Sequence, residues 1–177
     1  LWNHAACKML HKLAYDVKIP FTEISLAEVS DPDRGDIVII DSKRAGKRLV
    51  KRIVGVPGDT IYMQNNTLVI NSVPANYEVL SRDAESIIIQ EELPGGAHQA
   101  RLSSRYVNRS SRSYGATVVP ADQYFVLGDN RDNSADSRIY SFVPRGEIIG
   151  RSSSVVFSLD SHNNYLPRGE RFLAELE

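Results

Sequence analysis

Residues 128–138 form the block of this sequence in which polar side chains are most concentrated. It reads Gly-Asp-Asn-Arg-Asp-Asn-Ser-Ala-Asp-Ser-Arg and lies between two apolar segments. Short Asp, Asn and Ser side chains hydrogen-bond nearby backbone groups and fix turns. The arginines of the block can pair with three carboxylates through forked hydrogen bonds, Arg131 and Arg138 with Asp129, Asp132 or Asp136. We therefore expect a rigid polar loop of the kind that carries an active site.

Lys51 is the second residue whose type could carry chemistry. It lies in the run 49–55, Leu-Val-Lys-Arg-Ile-Val-Gly, which is typical of a strand. Two interpretations are open. Strand alternation would direct Lys51 to solvent, while Val50 and Arg52 point the opposite way. Alternatively, a partly buried lysine has a pKa lowered by desolvation and acts, in its neutral form, as a general base.

The elements that must position these residues are mainly short strands. Apolar runs bounded by turn signals predict strands at 37–40, 49–55, 60–63, 67–70, 86–90, 116–119, 123–127 and 153–158. The Asn65-Asn66 pair between two of these runs predicts a hairpin. Residues 91–115 are rich in Gly, Ser and Arg, which predicts a loop or the tip of an insertion. Residues 1–19 carry apolar side chains at helical spacing, which predicts a helix ended by Pro20. The expected class is mainly β with few short helices.

The composition narrows the class of protein further. The 177 residues suffice for one domain, with or without an insertion. A formal net charge of −1 argues against a nucleic-acid-binding protein. The single cysteine excludes an internal disulfide, and no apolar run approaches the roughly 20 residues of a membrane helix. Because the chain begins at Leu1 and not at Met, we expect a fragment without its upstream signal segment or membrane anchor.

Three ordered motifs resemble sequence boxes of the bacterial type I signal peptidases (leader peptidases). Residues 49–59, Leu-Val-Lys-Arg-Ile-Val-Gly-Val-Pro-Gly-Asp, resemble the lysine box of that family. Residues 128–138 resemble its final box residue for residue, and residues 34–38, Arg-Gly-Asp-Ile-Val, resemble a third box. The weaker run 12–21 is similar to the segment that follows the family's serine box. The resemblance covers most of residues 12–160 in the family's order, and three ordered boxes together are specific.

For the chemistry, the resemblance implies a Ser–Lys dyad protease on an antiparallel, signal-peptidase-like β fold. In such a protease a serine hydroxyl attacks the scissile carbonyl, and a neutral lysine removes its proton and later protonates the leaving amine. The resemblance implies Lys51 as this base and Ser134 as the hydroxyl that holds the lysine amine in position. It implies no metal and no organic cofactor.

The resemblance also implies residues that support the site and residues that bind the substrate. The supporting residues are an ion pair and two further side chains of the loop: Asp136 with Arg138, and Asp129 and Arg131. The substrate-binding residues lie on the strand along which a peptide would add by main-chain pairing: Arg48, Leu49 and Val50. The shallow pockets there are expected to accept small residues such as Ala, as signal-peptide cleavage requires.

The sequence departs from the family at the nucleophile. The family's serine lies in a Ser-Met-x-Pro-Thr box upstream of the segment matched by residues 12–21, and no such box occurs in this chain. The first serine is Ser25, downstream of that segment. The main oxyanion-hole donors of the family lie around the same serine and are missing with it. We expect a chain truncated just after its nucleophile or, alternatively, a paralogue that has lost it, and as written it should not cleave a substrate.

The sequence thus predicts the periplasmic catalytic domain of a Gram-negative signal peptidase. Residues 1–177 would form one domain, with core segments at about 12–63 and 121–160 and an insertion at about 64–120. It would be a monomeric serine endopeptidase that removes signal peptides from exported preproteins at the periplasmic face of the inner membrane. Its expected partners are signal peptides and the membrane surface, and not nucleic acid. Two alternatives stay open: a Ser–Lys protease dedicated to one substrate such as a conjugation-pilus subunit, and a non-catalytic paralogue that binds signal peptides or partner proteins.

Two weaker patterns have competing explanations. His4, Cys7 and His11 would share one face of a helix and could hold a metal, although such spacings arise often by chance. Four arginines at nearly helical spacing could meet anionic lipid headgroups, namely Arg101, Arg105, Arg109 and Arg112. The Ser and Gly residues around them favour a solvated loop instead.

Overall fold

The computed structural model describes residues 30–105 and 112–152 in full. Elsewhere it gives the backbone of residues 6–11, 16–18, 25–28, 153–160, 166–167 and 174–175. The described strands are β1 (Ala6–His11), β2 (Asp16–Lys18), β3 (Ser25–Glu28), β4 (Ile37–Ser42), β5 (Lys47–Gly55), β6 (Thr60–Gln64), β7 (Thr67–Ile70), β8 (Val73–Pro74), β9 (Asn76–Arg82), β10 (Ser86–Leu93), β11 (Gly96–Ser103), β12 (Tyr114–Val118), β13 (Gln123–Leu127), β14 (Val143–Pro144), β15 (Ile148–Asp160), β16 (Leu166–Pro167) and β17 (Ala174–Glu175). The described helical elements are α1 (Ser137–Tyr140) and the 3₁₀ turns Arg131–Asn133 and Arg145–Glu147.

Every pair of these named strands is antiparallel, which confirms the mainly β class. The largest sheet has the order β1-β15-β4-β5-β13-β14, and β16 and β17 also pair with β15. Within it, β4 buries residues 37–40 and β13 buries residues 124–127. These two apolar strands flank β5 and thereby fix the strand that carries Lys51. All the predicted strands correspond to observed ones, several of them longer than predicted.

A second sheet, β12-β6-β7-β8, begins directly after the Pro57-Gly58 turn. Its inner face buries Ile61, Met63, Leu68 and Ile70. The β6–β7 connection is made by Asn65 and Asn66 with φ of 50° and 65°. Two successive residues with positive φ fit the tight turn that joins twisted strands, and asparagine tolerates this conformation better than most residues. The predicted hairpin is therefore confirmed.

A third sheet, β11-β10-β9, shows that the prediction of a loop over residues 91–115 is wrong for residues 91–103. β10 extends to Leu93, and β11 returns from Gly96 after the two-residue connection Pro94-Gly95. The Gly, Ser and Arg content suggested a loop, but the backbone of residues 91–103 obtains its hydrogen bonds from regular pairing. We call β10, β11 and their connection the β10–β11 hairpin. The division of the chain into a core and an insertion at 64–120 stays a prediction.

The prediction of a helix over residues 1–19 is wrong where the structure describes them. Residues 6–11 form β1 and pair with β15, and residues 16–18 form β2 and pair with β3. A short apolar pattern does not distinguish a helix from a strand reliably, because pairing with a distant strand overrides local preference.

Candidate active site

Lys51 lies near the middle of β5, opposite Val38 of β4. Its side chain is half-buried, and its Nζ donates a hydrogen bond of 2.8 Å to Oγ of Ser134 in the loop after β13. The strand does not alternate simply at this point, because residues 52–55 are all buried. The interpretation that alternation directs Lys51 to solvent is therefore wrong. The loop at 128–138, which we call the box loop, meets its side chain.

The surroundings of Lys51 lower the pKa of its amine below the ordinary value of 10.5. Desolvation by burial is the main cause; the negative charge of Asp136 opposes it, and the positive charge of Arg138 adds to it. A lower pKa increases the fraction of neutral amine at a given pH, and the neutral amine is the form that accepts a proton. The structure therefore contains a lysine suited to general base catalysis.

Gly128, the first residue of the box loop, lies against the contact between Lys51 and Ser134. A Cβ atom on Gly128 would lie 2.1 Å from Ser134 Oγ and 3.3 Å from Lys51 Nζ. The backbone N–H of Gly128 donates a hydrogen bond of 3.0 Å to Oδ2 of Asp136. A residue without a side chain is required here because the loop folds back on its own beginning.

Asp136 and Arg138 form a buried ion pair. Nε and Nη2 of Arg138 donate to Oδ1 and Oδ2 of Asp136 over 2.8 and 2.7 Å. Burial alone would raise the pKa of Asp136, but hydrogen bonds from Arg138, the Gly128 backbone and Ser134 outweigh it and hold the pKa below its ordinary value. The carboxylate also caps α1 by accepting from the Arg138 N–H. This ionised side chain therefore fixes the loop on both sides of Ser134.

Arg131 does not pair with a carboxylate of its own loop, so this part of the sequence prediction is wrong. Its buried guanidinium contacts Glu91 of β10, and Nε2 of His98 of β11 lies 3.1 Å from the same Glu91 oxygen. The carbonyl of Arg131 accepts a hydrogen bond of 2.6 Å from Nη2 of Arg138. Sequence reasoning missed Glu91 because its partner is 40 residues away. The available signal was an acidic residue two positions after the apolar run 87–89.

Asp129 pairs with Arg52, the residue that follows Lys51. Nε and Nη2 of Arg52 donate to the two carboxylate oxygens over 3.1 and 3.3 Å. Nη1 of Arg52 also donates to the carbonyl of Gly35 over 3.0 Å, which ties the Arg-Gly-Asp turn to the same ion pair. Arg52 was not among the predicted site residues. It anchors the box loop to β5 beside the candidate base.

Asp132 is anchored from the opposite side by Arg112. Nε and Nη2 of Arg112 each donate over 2.7 Å to its carboxylate, and the Ser103 N–H donates over 2.8 Å. Arg105 forms an exposed ion pair with Glu85. The prediction that the arginine series lies in a solvated loop is therefore wrong for Arg112 and for Arg101, which lies in β11. Arg109 lies outside the described residues.

Arg48, Leu49 and Val50 lie on a sheet edge that is open within the described part of the chain. β13 pairs with β5 at residues 52–55, whereas residues 47–50 pair with β4 alone. Arg48 and Val50 are exposed there. An edge with unpaired backbone groups can accept a further strand. Such a strand would run directly to Lys51.

No group of three or more His, Cys, Asp or Glu side chains is arranged to hold a metal ion within the described residues. Nor does this part of the chain contain a helix long and apolar enough to cross a membrane. The side chains of His4, Cys7 and His11 lie outside the described residues, so metal binding by them stays a hypothesis.

The half-buried lysine, its serine partner and the polar loop held by ion pairs lie in a sequence that matches a known protein family. A family model for signal peptidases, peptidase S26, matches residues 6–157. The chain belongs to this family. The match includes the three sequence boxes and confirms the resemblance that they carry. The lysine, the serine and the ion pair of Asp136 with Arg138 therefore lie within the matched part of a signal peptidase sequence.

Two curated signal peptidases, from Pseudomonas fluorescens and Bacillus subtilis subsp. natto, are similar to this chain over most of its length. A signal peptidase I of Pseudomonas fluorescens is 31% identical over 167 residues, which cover 85% of this chain and 58% of that protein. A signal peptidase I P of Bacillus subtilis subsp. natto is 36% identical over 131 residues, covering 73% of this chain and 62% of that protein. A crystal structure of a signal peptidase I from Enterococcus faecalis V583 aligns at 30% identity and a TM-score of 0.47, over 70% of this chain and 98% of that chain. The chain thus spans about three fifths of the length of these two curated relatives.

Proposed function

We propose that this chain is the base-carrying part of a serine endopeptidase that removes N-terminal signal peptides from exported preproteins. The observation that carries the proposal is the 2.8 Å contact between Lys51 Nζ and Ser134 Oγ, at a half-buried position beside a strand edge that no described strand pairs with. Membership of the signal peptidase family supports the same reaction. The expected partners are signal peptides at the periplasmic face of the inner membrane, and the mechanism uses no cofactor.

In this mechanism the substrate pairs with the open edge at residues 48–50, which directs its scissile carbonyl toward Lys51. The neutral lysine amine removes a proton from a serine hydroxyl as that hydroxyl attacks the carbonyl, and it then protonates the leaving amine. The lowered pKa of Lys51 favours the neutral form that the first step needs. We assign the attacking hydroxyl to a serine that is not among these 177 residues, since the Ser-Met-x-Pro-Thr motif does not occur in them.

Ser134 has a positioning role in this proposal. Its Oγ accepts a hydrogen bond from Lys51 Nζ, and this hydroxyl is also among the groups that lower the pKa of Asp136. It is well placed to orient the amine, so that the nitrogen lone pair faces the attacking serine.

Cleavage by an extended enzyme tests the assignment. Joining this chain to an upstream segment with the Ser-Met-x-Pro-Thr motif and an anchor should give cleavage of a preprotein after an Ala-x-Ala-like site. In that enzyme, Lys51→Ala should lower kcat by about 10²–10⁴-fold, the usual contribution of a general base. Ser134→Ala should cost less, about 10–100-fold, because it removes one hydrogen bond to an amine.

Circular dichroism of both variants provides the control for folding. Turnover that survives Lys51→Ala at the parental rate contradicts the base assignment. Loss of all turnover in Ser134→Ala, equal to that in Lys51→Ala, would instead identify Ser134 as the nucleophile. An extended enzyme that binds preproteins without cleaving them would favour the non-catalytic alternative.

A further inference from the structure

The box loop is attached to the β10–β11 hairpin by a buried cluster that the proposed mechanism does not use. The cluster consists of Glu91 of β10, His98 of β11 and Arg131 of the box loop. Their exposed fractions are 0%, 2% and 1%. Glu91 is the one carboxylate in contact with the Arg131 guanidinium among the described residues. The contact therefore joins two segments that are distant in sequence.

The charges of this cluster depend on each other. Burial alone would raise the pKa of Glu91, but the charge of Arg131 outweighs it and holds the pKa at about 2. Glu91 is therefore ionised near neutral pH and compensates a guanidinium that cannot lose its proton. Removing one partner of such a pair leaves a buried charge uncompensated, which is far more damaging than removing both. The contact thus holds Arg131 in place firmly.

The position of Arg131 determines the position of Ser134. Arg131 begins the 3₁₀ turn Arg131–Asn133, and Ser134 is the residue that ends it. The carbonyl of Arg131 also accepts the hydrogen bond from Arg138, which in turn holds Asp136. A displacement of Arg131 would therefore be transmitted to Ser134 through the turn and through this ion pair.

Backbone contacts bring the hairpin to the same part of the loop. The N–H of Arg101 donates over 2.7 Å to the carbonyl of Asp129, and the N–H of Ser103 donates over 2.8 Å to Asp132. These contacts lie on either side of Arg131 in sequence. The hairpin consequently supports the loop before and after the residue that Glu91 holds.

We propose that Glu91 is a positioning residue, which holds Arg131 so that the box loop keeps Ser134 in contact with Lys51. His98 completes the buried wall beside the Glu91 carboxylate. The importance of this role for catalysis rests on the proposed function, whereas the contact itself can be tested without measuring cleavage. The hairpin thereby becomes part of the site although it lies outside all three sequence boxes.

The test is the titration of Lys51 in this chain, followed by ¹³C NMR of the lysine Cε atoms. The chain has six lysines, and the Lys51 signal is the one that Lys51→Met removes. Glu91→Gln should shift the pKa of Lys51 upward toward 10.5, because a displaced Ser134 loop admits water to the amine. Glu85→Gln is the matched control. It makes the same substitution next to the same hairpin, in an exposed ion pair with Arg105, and should leave the titration unchanged.

A second control separates positioning from general loss of stability. Ile148→Ala removes buried atoms from β15 and makes no change in the box loop or the hairpin. Equal titration of Lys51 in Glu91→Gln and Glu85→Gln would overturn the proposal, and so would an equal upward shift in Ile148→Ala. If Glu91→Gln does not fold, the uncharged double variant Glu91→Met/Arg131→Met decides. A raised pKa of Lys51 in the folded double variant supports the positioning role, and a parental one overturns it.

The outcome is independent of the cleavage experiment. An extended enzyme that fails to cleave preproteins would remove the catalytic role of Lys51 but would leave the titration result standing. Conversely, cleavage that needs Lys51, together with an unchanged titration in the Glu91 variants, would preserve the proposed function and remove only the positioning role.

Discussion

Gly128→Ala is the substitution whose effect the structure specifies most sharply. The new Cβ would lie 2.1 Å from Ser134 Oγ and 2.7 Å from Ser134 Cβ. Non-bonded heavy atoms pack at ~3.5 Å, so Ser134 must move by about 1 Å. The backbone of Gly128 does not have a positive φ, which makes the clash steric and not conformational. A displacement of about 1 Å in a catalytic arrangement costs on the order of 100-fold in rate, or about 2.7 kcal/mol of transition-state stabilisation.

The assay has two readouts. In the extended enzyme, Gly128→Ala should lower kcat/KM for preprotein cleavage by about 100-fold. In this chain, overpacking should lower the free energy of unfolding by about 1–3 kcal/mol in urea denaturation. Gly146→Ala is the matched control, because a Cβ there has no heavy atom within 4 Å and the residue likewise lacks a positive φ. Parental activity and stability in Gly128→Ala would refute the view that Gly128 sets the distance between Ser134 and Lys51.

Two further substitutions and one control test the electrostatics of the site. Because the fold lowers the pKa of Lys51, the unfolded chain binds the proton of the lysine amine more tightly than the folded protein does. The protonated lysine therefore destabilises the fold; this effect is full below the folded pKa and disappears as the pH rises to the unfolded value of 10.5. Lys51→Met should therefore raise the free energy of unfolding at pH 7, and the gain should shrink as the pH rises toward 10.5; a gain that does not depend on pH would contradict the linkage. Arg112→Ala should cost about 1–3 kcal/mol in urea denaturation because it leaves the Asp132 carboxylate without its partner. Arg105→Ala, which breaks an exposed ion pair, should lower the free energy of unfolding by less than about 1 kcal/mol. Equal losses in the two variants would show that the ion pair of Arg112 with Asp132 stabilises the fold no more than an exposed pair does.

The sequence predicts the strands well where local signals and burial agree. The run 37–40 is continuously apolar and forms a buried strand, and Asn65 and Asn66 supply the positive φ values that a tight hairpin needs. The hairpin at 86–103 is predicted only in its first strand, because its second strand carries polar residues that resemble a loop. Its Pro94-Gly95 connection was the missed turn signal. β1 could not be predicted because its partner, β15, lies more than 100 residues away.

The candidate site is predicted in part. The structure brings Lys51 and Ser134 together, and it pairs Asp136 with Arg138. Both contacts could be predicted because these residues belong to recognisable sequence boxes. The partners of the remaining loop charges lie outside the box loop, so their spacing in sequence carries no information. Glu91 is the clearest example: it is the first of two successive glutamates near the end of β10, where a carboxylate is usually solvated, and it is fully buried.

The edge of β5 that is open within the described residues also bears on how the protein avoids aggregation. Unpaired strand edges promote aggregation, and natural proteins often protect them with charged side chains, lysine above all. The exposed residues Lys47 and Arg48 lie at the outer end of this edge. Two molecules that approached through their open edges would bring like charges together, whereas a peptide without basic residues would meet no such repulsion. If a substrate strand adds to this edge as proposed, the same short stretch would admit it while disfavouring a second copy of the protein.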